Sequence, residues 1–262
     1  MSLHEIDHLF SQSLIGDYDD KLAWEAVSAL QRIGTREVFD RAAAWCKSEN
    51  PKERSRGACV LAQLCKTWEH QSNSFPEESY VAVCQMLQLE NEVQPLSSAI
   101  HALGHLDNPA AIPLISSYQR HPVAEIRFAV ACALGSFPND PDSVQALMAL
   151  ASDVDDDVRE WAVFGLGNQG NADSHEIRDA LFQRISDPNK HVREEAIIGL
   201  AKRKDQRVLP ALTAALMQPE LDDPRATMMT IEAAYLILGF DEERKDWGAA
   251  EYITALREQF SL

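Results

Sequence analysis

The sequence lacks the features that mark secreted and membrane proteins. It has no run of eighteen apolar residues, and no basic stretch followed by an apolar segment opens the chain. The five cysteines are odd in number, never spaced as Cys-x-x-Cys and mostly placed within apolar stretches, which favours reduced interior thiols over disulfides. We therefore expect a soluble, cytoplasmic protein that does not associate with membranes.

Basic residues are few relative to acidic ones. The chain carries 24 lysines and arginines against 41 aspartates and glutamates, which gives a net charge of -17. A field of this sign repels phosphate backbones, so we expect no nucleic-acid partner, and it attracts basic proteins. The alternative is that the charge only keeps an elongated, surface-rich molecule in solution.

Motifs that carry catalysis are missing as well. The sequence holds no nucleophile elbow and no glycine-rich phosphate loop, because its one glycine-rich stretch, at 167–170, has no strand before it. The sequence therefore predicts no catalytic residue and no cofactor. We expect a protein that binds another macromolecule rather than an enzyme.

What the sequence does contain is a recurring helical pattern. An apolar residue and an arginine are followed by two small residues, a leucine and often a glycine, most clearly at 126–135, 158–167 and 192–201. The steps of four and three residues place these positions on one helix face. The copies end at Leu30, Leu61, Leu103, Leu134, Leu166, Leu200 and Leu238. These leucines stand 31, 42, 31, 32, 34 and 38 residues apart, a period typical of one helical hairpin per repeat.

Second amphipathic segments lie between the clear copies, at 112–118, 144–151, 177–185 and 208–216. Pro113 and Pro210 lie inside such segments, where a proline should kink the helix or restrict its straight part. We expect an all-α, armadillo-like superhelix, or α-solenoid, of about seven two-helix repeats. Capping helices are expected at both ends, and residues 1–262 are expected to form one domain.

The motif Asp-x-Asp-x-x-Val-Arg-Glu-x-Ala-x-x-Gly-Leu-Gly at 153–167, followed by a close copy at 187–201, resembles the HEAT-like repeats first grouped with phycobilisome bilin lyases. The resemblance implies the solenoid fold but leaves function open, because such repeats serve as scaffolds, adaptors, lyases and hydroxylases. In that family the recurrent Asp and Arg are usually structural. Asp153, Arg159, Asp187 and Arg193 are therefore expected to form a ladder that ties one turn to the next helix.

Two histidine pairs are candidate metal ligands. His4 and His8 match the HExxH zinc pattern, but that motif needs a third ligand and a helix embedded beneath a sheet. The resemblance also brings in deoxyhypusine hydroxylase, a HEAT-like enzyme that binds two irons through repeated His-Glu pairs, which occur here only at non-equivalent places. No metal site is predicted.

The second pair, His101 and His105, also lies at i and i+4 of one helix. His101 occupies a position expected to pack at a repeat junction. A metal would need a further ligand, for which Cys59 or Cys132 of neighbouring repeats is a candidate.

Aromatic residues at positions where the repeat expects polar ones are candidate partner contacts. Trp161, for example, shares its position with Glu25 and Glu195 and should point outward while its neighbours face inward. The extended loop 66–76 adds two aromatics. The alternative for each is that it fills a gap against a neighbouring helix. The candidates are Trp24, Trp68, Phe75, Phe128, Trp161 and Phe182.

These observations favour a protein-binding scaffold or adaptor. A sharper version is an acidic inhibitor or immunity-type protein that neutralises a basic protein. The competing class is an enzyme, either a bilin lyase-like protein or a metal-dependent HEAT-repeat hydroxylase.

Overall fold

The computed structural model describes residues 3–65, 72–217, 224–240, 242–244 and 246–261, and every regular element within them is helical, which confirms the all-α prediction. The α-helices are α1 (Leu3–Ser13), α2 (Lys21–Ile33), α3 (Arg36–Trp45), α4 (Pro51–Ala62), α5 (Pro76–Leu89), α6 (Val93–Leu106), α7 (Ile112–Ser116), α8 (Ala124–Gly135), α9 (Pro141–Leu150), α10 (Asp156–Phe164), α11 (His175–Arg184), α12 (Lys190–Lys202), α13 (Leu209–Leu216), α14 (Pro224–Leu238) and α15 (Ala249–Phe260). None of these helices combines the length and the apolar character needed to cross a lipid bilayer.

The helices group into two compact units, Met1–Phe137 and Pro138–Leu262. In the first unit the even-numbered helices α2, α4, α6 and α8 pack in succession, as α10, α12 and α14 do in the second. Each odd-numbered helix within a unit packs against the even helix that follows it. The hairpin therefore consists of an odd helix and the even helix that follows it. One domain over residues 1–262 stays a prediction.

The terminal helices bury the apolar stripes expected of them. On α1, which packs on α2, Ile6 and Phe10 are buried. On α15, which packs on α13 and α14, Tyr252 and Leu256 are fully buried. The sequence Ser2-Leu3-His4-Glu5 has the form of a capping box for α1, but Ser2 lies outside the described residues.

Short polar side chains begin many of the helices. Asp20, Asn50, Asp140, Ser174 and Asn189 each accept a hydrogen bond from a backbone N–H of the following first turn. These amides have no partner inside the helix, so the caps satisfy them and fix where each helix starts.

The two prolines expected to kink their helices do not do so. Pro113 and Pro210 lie in the first turn of α7 and α13, where the missing N–H is harmless. A 3-10 turn precedes each α-helix, at Pro109–Ala111 and Gln206–Val208. The prolines therefore restrict the length of each straight α-helix, which begins only after the 3-10 turn.

Small residues let the even helices approach closely. A Cβ atom at Gly104 of α6 would lie 2.7 Å from the Cα atom of Ala133 on α8. A Cβ atom at Gly199 of α12 would lie 2.7 Å from the Cα atom of Gly167. Because both obstacles are backbone atoms, a larger side chain at either glycine would force the helices apart.

The helix α10 continues into a π-helical turn, Gly165–Gln169, in which the amide of Gly170 donates to the carbonyl of Gly165 at 3.0 Å. The buried guanidinium of Arg203 donates to the carbonyls of Leu166 and Ala172, at 2.7 Å in each case. The bond to Leu166 satisfies a carbonyl that a regular helix would have paired with its own amide, and the bond to Ala172 attaches the connection that follows the turn.

All five cysteines lie in the described ranges as free thiols. Cys46 is buried and the other four are half-buried, so the expectation of interior thiols holds fully for Cys46 alone. Burial raises the pKa of Cys46 to about 12, which leaves this thiol protonated and unreactive at neutral pH.

The ladder residues lie at the turns between odd and even helices. The Arg159 guanidinium donates to both carboxylate oxygens of Asp187, at 2.9 Å each, and to the carbonyls of Asp153 and Val154. Arg193 makes the equivalent carbonyl contacts to Asp187, at 2.7 Å, and to the residue after it. Each arginine thus binds its own turn, and Arg159 also binds the next.

The first unit contains a copy of this arrangement that the sequence motif did not show. Arg54 donates to the carbonyls of Ser48 and Glu49 and to both carboxylate oxygens of Glu90, at 2.6 and 3.0 Å. Here a glutamate takes the place of the aspartate. Arg127 makes the carbonyl contacts to its own turn as well.

The charge of Asp187 is stabilised by this geometry. Burial would raise the pKa of Asp187, but the hydrogen bonds from Arg159 and from the amide of Asn189 outweigh it and hold the pKa below its usual range. A lowered pKa in the folded state means that the ionised carboxylate stabilises the fold above the unfolded pKa of about 3.9. That stabilisation is lost as the pH falls through the folded value.

We predict that Asp187→Asn lowers the free energy of unfolding by about 3–5 kcal/mol at pH 7, because it leaves the buried Arg159 charge uncompensated. The variant and the parent protein should begin to converge as the pH falls below about 4 and should become equal only below the lowered pKa of Asp187 in the folded state. Urea unfolding at several pH values measures both effects. Asp173→Asn is the control, since the Asp173–Arg178 pair is largely exposed and should contribute less than about 1 kcal/mol. Equal losses in the two variants would contradict a structural ladder.

The turn at Val154 predicts a stabilising substitution. Val154 is 92% exposed and takes the place that Pro122 and Pro188 hold in equivalent turns. Asp153, which precedes Val154, accepts a hydrogen bond from the backbone amide of Asp155 at 2.9 Å. Asp187, which precedes Pro188, accepts the equivalent hydrogen bond from the backbone amide of Asn189 at 3.0 Å. Val154→Pro should therefore raise the free energy of unfolding by about 0.4–1 kcal/mol. Val154→Ala should give no such gain, and a destabilised proline variant would show that the turns differ.

Candidate functional site

Trp24 contributes to a buried contact in the first unit. The guanidinium of Arg56, which is fully buried, lies 4.8 Å from the Trp24 ring and 4.7 Å from the Tyr18 ring. Arg56 also donates to the carbonyls of Ser13 and Tyr18, at 2.9 and 2.7 Å. Arg56 thereby attaches the connection between α1 and α2 to α4, and the half-buried Trp24 packs against its guanidinium.

The repeat position that Trp161 occupies was expected to face solvent, and this expectation is wrong for most repeats. The position is exposed in Glu25 and Trp161. It is buried in Arg56, Ser98, Ala129 and Glu195. The reason is that successive even helices pack against one another along this side, which covers the position wherever the neighbouring helix lies close.

Phe128 packs against His101, with 6.1 Å between the ring centres. Burial, with a smaller effect of His105, lowers the pKa of His101 to about 4, so this imidazole is neutral at pH 7. His4 and His8 are exposed on α1. In the described part of the chain no group of three or more His, Cys, Asp or Glu side chains is placed to hold a metal ion.

Of the two loop aromatics, Trp68 lies outside the described residues. Phe75 directly precedes α5, and its ring centre lies 5.1 Å from that of Phe39. The Arg36 guanidinium lies over both rings, 4.2 Å from Phe75 and 4.8 Å from Phe39, and is bound by both oxygens of Glu78. Phe75 therefore fastens the end of the loop to α3.

Phe182 is 37% exposed on α11, and the guanidinium of Arg207 lies 4.9 Å from its ring centre. Arg207 is itself bound by the carboxylates of Asp205 and Asp179. One face of Phe182 is thus covered by a neighbouring ion-pair network.

Trp161 remains the aromatic candidate with an open surface. It is 39% exposed, and its ring meets that of Phe164 edge-on, with 5.6 Å between centres. The inward-facing set expected for this helix is confirmed: Val158, Ala162, Val163 and Leu166 are all buried. Trp161 thus lies along the outer edge of α10, where a partner can reach it.

A row of carboxylates accompanies Trp161. Glu160, Glu194 and Glu232 stand six residues before the repeat leucines of α10, α12 and α14, and each is half-buried. Glu194 lies 3.7 Å from the Lys190 ammonium and 3.3 Å from the His191 ring. The recurrence of Glu at this position is readable in the sequence, although the three glutamates are not among the residues predicted there to contact a partner.

The row and the aromatic pair share one surface of the second unit. Because α10 packs on α12 and α12 on α14, equivalent residues should follow one another at the usual helix separation of about 8–10 Å. We call Glu160, Trp161, Phe164, Glu194 and Glu232 the α10–α14 ridge. It presents apolar surface at one end and three carboxylates in succession.

Alternating helices, close packing through small residues and arginine-bound turns define a helical-repeat protein. The family model described as HEAT repeats matches residues 82–167 and 149–232. The chain belongs to the HEAT-repeat family, which confirms both the resemblance drawn from the motif and the α-solenoid fold.

The chain is similar to Protein YibA of Escherichia coli strain K12, with 30% identity over 227 residues that cover 83% of this chain and 76% of YibA. The crystal structure of E. coli YibA matches 96% of this chain and 92% of its own, with a TM-score of 0.70 and 25% identity. Phycocyanobilin lyase subunit alpha of Thermosynechococcus vestitus is 35% identical over 78 residues, or 30% of this chain and 28% of the lyase subunit.

The exposure of Trp161 predicts a modest structural role. Trp161→Ala should lower the free energy of unfolding by about 1 kcal/mol, because much of the ring is already in water. Phe10→Ala, which removes a fully buried ring, should cost about 3–5 kcal/mol and serves as the reference. Urea unfolding of the two variants measures the difference. A loss at Trp161 as large as that at Phe10 would place Trp161 in the core.

Proposed function

We propose that the protein is a binding scaffold whose α10–α14 ridge takes a basic segment of a partner polypeptide. The observation that carries the proposal is the exposed Trp161, packed against the half-buried Phe164, at the end of a row of carboxylates that recurs on the three even helices α10, α12 and α14. The HEAT-repeat fold supports it, since such repeats are suited to protein interaction.

The two parts of the ridge would contribute differently to binding. An exposed tryptophan supplies a large, rigid contact area and an electron-rich face that attracts Lys or Arg. Each half-buried carboxylate contributes little by itself, because water and salt still screen much of its charge. A row of them selects cationic partners and accelerates association. The aromatic pair would thus supply most of the affinity and the glutamates most of the selectivity.

The spacing of the ridge glutamates restricts the positions at which a partner segment can carry its Lys or Arg residues. Neighbouring helices are about 8–10 Å apart, and an extended chain advances about 3.3 Å per residue. An extended segment that crosses α10, α12 and α14 would therefore place every third side chain opposite a glutamate. We infer a preference for segments with Lys or Arg at positions i, i+3 and i+6.

The sharper form of the proposal is an acidic inhibitor or immunity-type protein that neutralises a basic protein. The net charge of -17 supports it, because such a charge steers a cationic partner toward the ridge. The enzymatic alternatives are not proposed. The similarity to the lyase subunit covers 30% of this chain and 28% of that subunit.

The test compares labelled peptides of identical composition, with lysines at every third position, at every second position or in one block. Fluorescence anisotropy should show the tightest binding for the first, with a dissociation constant that rises steeply between low and high salt. Trp161→Ala should weaken this binding about tenfold, equivalent to about 1.4 kcal/mol. Phe182→Ala, which changes a similarly exposed aromatic away from the ridge, should leave it unchanged.

The carboxylates are tested separately. Glu194→Gln and Glu232→Gln should each weaken the third-position peptide, and Glu25→Gln, an exposed glutamate of the first unit, should not. Binding that ignores lysine spacing and tolerates Trp161→Ala and both ridge glutamine variants would refute the ridge as the binding surface.

A further inference from the structure

A cleft lies between two successive turns of the first unit, the turn that joins α3 to α4 and the turn that joins α5 to α6. Its volume is about 590 Å3, within the range of pockets that bind small molecules. Cys46 and Lys47 line it from the first turn, and residues 90–92 line it from the second. The cleft shares no residue with the α10–α14 ridge, so a ligand there is a function beyond the one proposed above.

The floor of the cleft is apolar. Met86 of α5 and Cys46 line it and are almost fully buried, so the floor is formed by the packing of the unit itself. Leu89, the last residue of α5, also lines the cleft and is 83% exposed. An aliphatic group placed in the cleft would therefore be removed from water together with the Leu89 side chain.

The ion pair between Arg54 and Glu90 forms part of the wall but offers no free charge to a ligand. The guanidinium of Arg54 donates to both carboxylate oxygens of Glu90 and to two carbonyls of the α3–α4 turn. The Glu90 carboxylate also accepts from the backbone amides of Asn91 and Glu92, at 3.0 and 2.9 Å. The two charges thus compensate each other, and their hydrogen-bonding groups are occupied.

Two charges of opposite sign remain at the cleft, Lys47 and Glu92. Both side chains are exposed, and within the described ranges neither forms a salt bridge. They belong to different turns. Because α3 packs against α5, these turns are separated by about one helix spacing, about 8–10 Å. A ligand with a positive and a negative end at about this separation would satisfy both side chains.

This pair of charges disfavours singly charged ligands. The carboxylate of a fatty acid would be attracted by Lys47 but repelled by Glu92, and the ammonium of an aliphatic amine would meet the reverse. A phosphorylated ligand needs several cationic groups, and of the described residues that line the cleft Lys47 alone offers a free one. The charges therefore select a ligand that is itself zwitterionic.

We propose that the cleft binds a short zwitterionic peptide, two or three residues long, with an aliphatic side chain. Two or three residues of extended chain span about 7–11 Å, which matches the separation of the two turns. The N-terminal ammonium of the peptide would face Glu92, its carboxylate would face Lys47, and its aliphatic side chain would pack on Met86 and Leu89.

The remaining side chains at the cleft suit the backbone of such a peptide. A carboxamide both donates and accepts hydrogen bonds, as a peptide group does, so it can pair with either half of a peptide group. Three exposed carboxamides line the cleft, those of Gln85, Gln88 and Asn91.

The first test is isothermal titration calorimetry of the full chain with the tripeptide Ala-Leu-Ala, which carries no basic side chain for the ridge. It should bind with a dissociation constant below about 1 mM. Ala-Ser-Ala should bind about tenfold more weakly, because it lacks the aliphatic side chain. Free leucine should also bind about tenfold more weakly, because one residue spans only about 3.5 Å and cannot reach both turns. No binding of Ala-Leu-Ala at about 1 mM, or equal binding of free leucine, would overturn the proposal.

The second test assigns each end of the peptide. Acetylation of the N-terminus and amidation of the C-terminus each remove one charge and should each weaken binding by about threefold to tenfold. Glu92→Gln should weaken the free tripeptide by a similar factor without weakening the acetylated one further. Lys47→Gln should do the same for the free and the amidated tripeptide. Such cycles separate a direct contact from a general effect on the fold.

The matched controls change exposed charges outside the cleft. Lys21→Gln and Glu37→Gln should bind Ala-Leu-Ala as the parent protein does, and so should Trp161→Ala, which alters the ridge alone. Circular dichroism verifies that every variant is folded. Blocked peptides that bind as tightly as the free tripeptide would contradict recognition of a zwitterion. Losses in Glu92→Gln or Lys47→Gln that persist with the correspondingly blocked peptide would contradict the assigned contacts.

Discussion

A single guanidinium group that binds two turns is the interaction on which the regularity of this repeat depends. Arg159 fastens the first carbonyls of its own turn and, through Asp187, the turn of the next hairpin. Arg54 does the same with Glu90 in the first unit. Because an arginine presents several donors in a rigid plane, one side chain sets both the path of a turn and its distance from the next. Stacking thus rests on a few buried polar contacts as well as on apolar burial.

The sequence was sufficient to predict the helices and their inward faces. The spacing of Val158, Ala162 and Leu166 predicts the buried side of α10 without reference to any other part of the chain, since helix periodicity is a local property. The ladder was also visible as recurring Asp and Arg. Its copy at Arg54 was not, because there the acidic partner is Glu90 and no aspartate marks the turn.

The surface was harder to predict, for a physical reason. Arg56 and Glu195 hold the same repeat position as Trp161, yet they are buried and Trp161 is partly exposed. Exposure at this position depends on the neighbouring helix rather than on the residue's own helix, and periodicity does not describe that distance. Phe75 illustrates the same limit: its packing on Phe39 and Arg36 joins segments that lie far apart in the sequence.

The π-helical turn after α10 shows how the fold accommodates a repeat of unequal length. Leu166, which lies in this turn, and Leu200 stand 34 residues apart, against 32 for the preceding pair of repeat leucines. The residues of the π turn continue the helix α10, and Arg203 binds their carbonyls. The five residues of the turn are thereby ordered as helix. An insertion at this point can be inherited without a change in how the neighbouring hairpins stack, provided that the arginine is inherited with it.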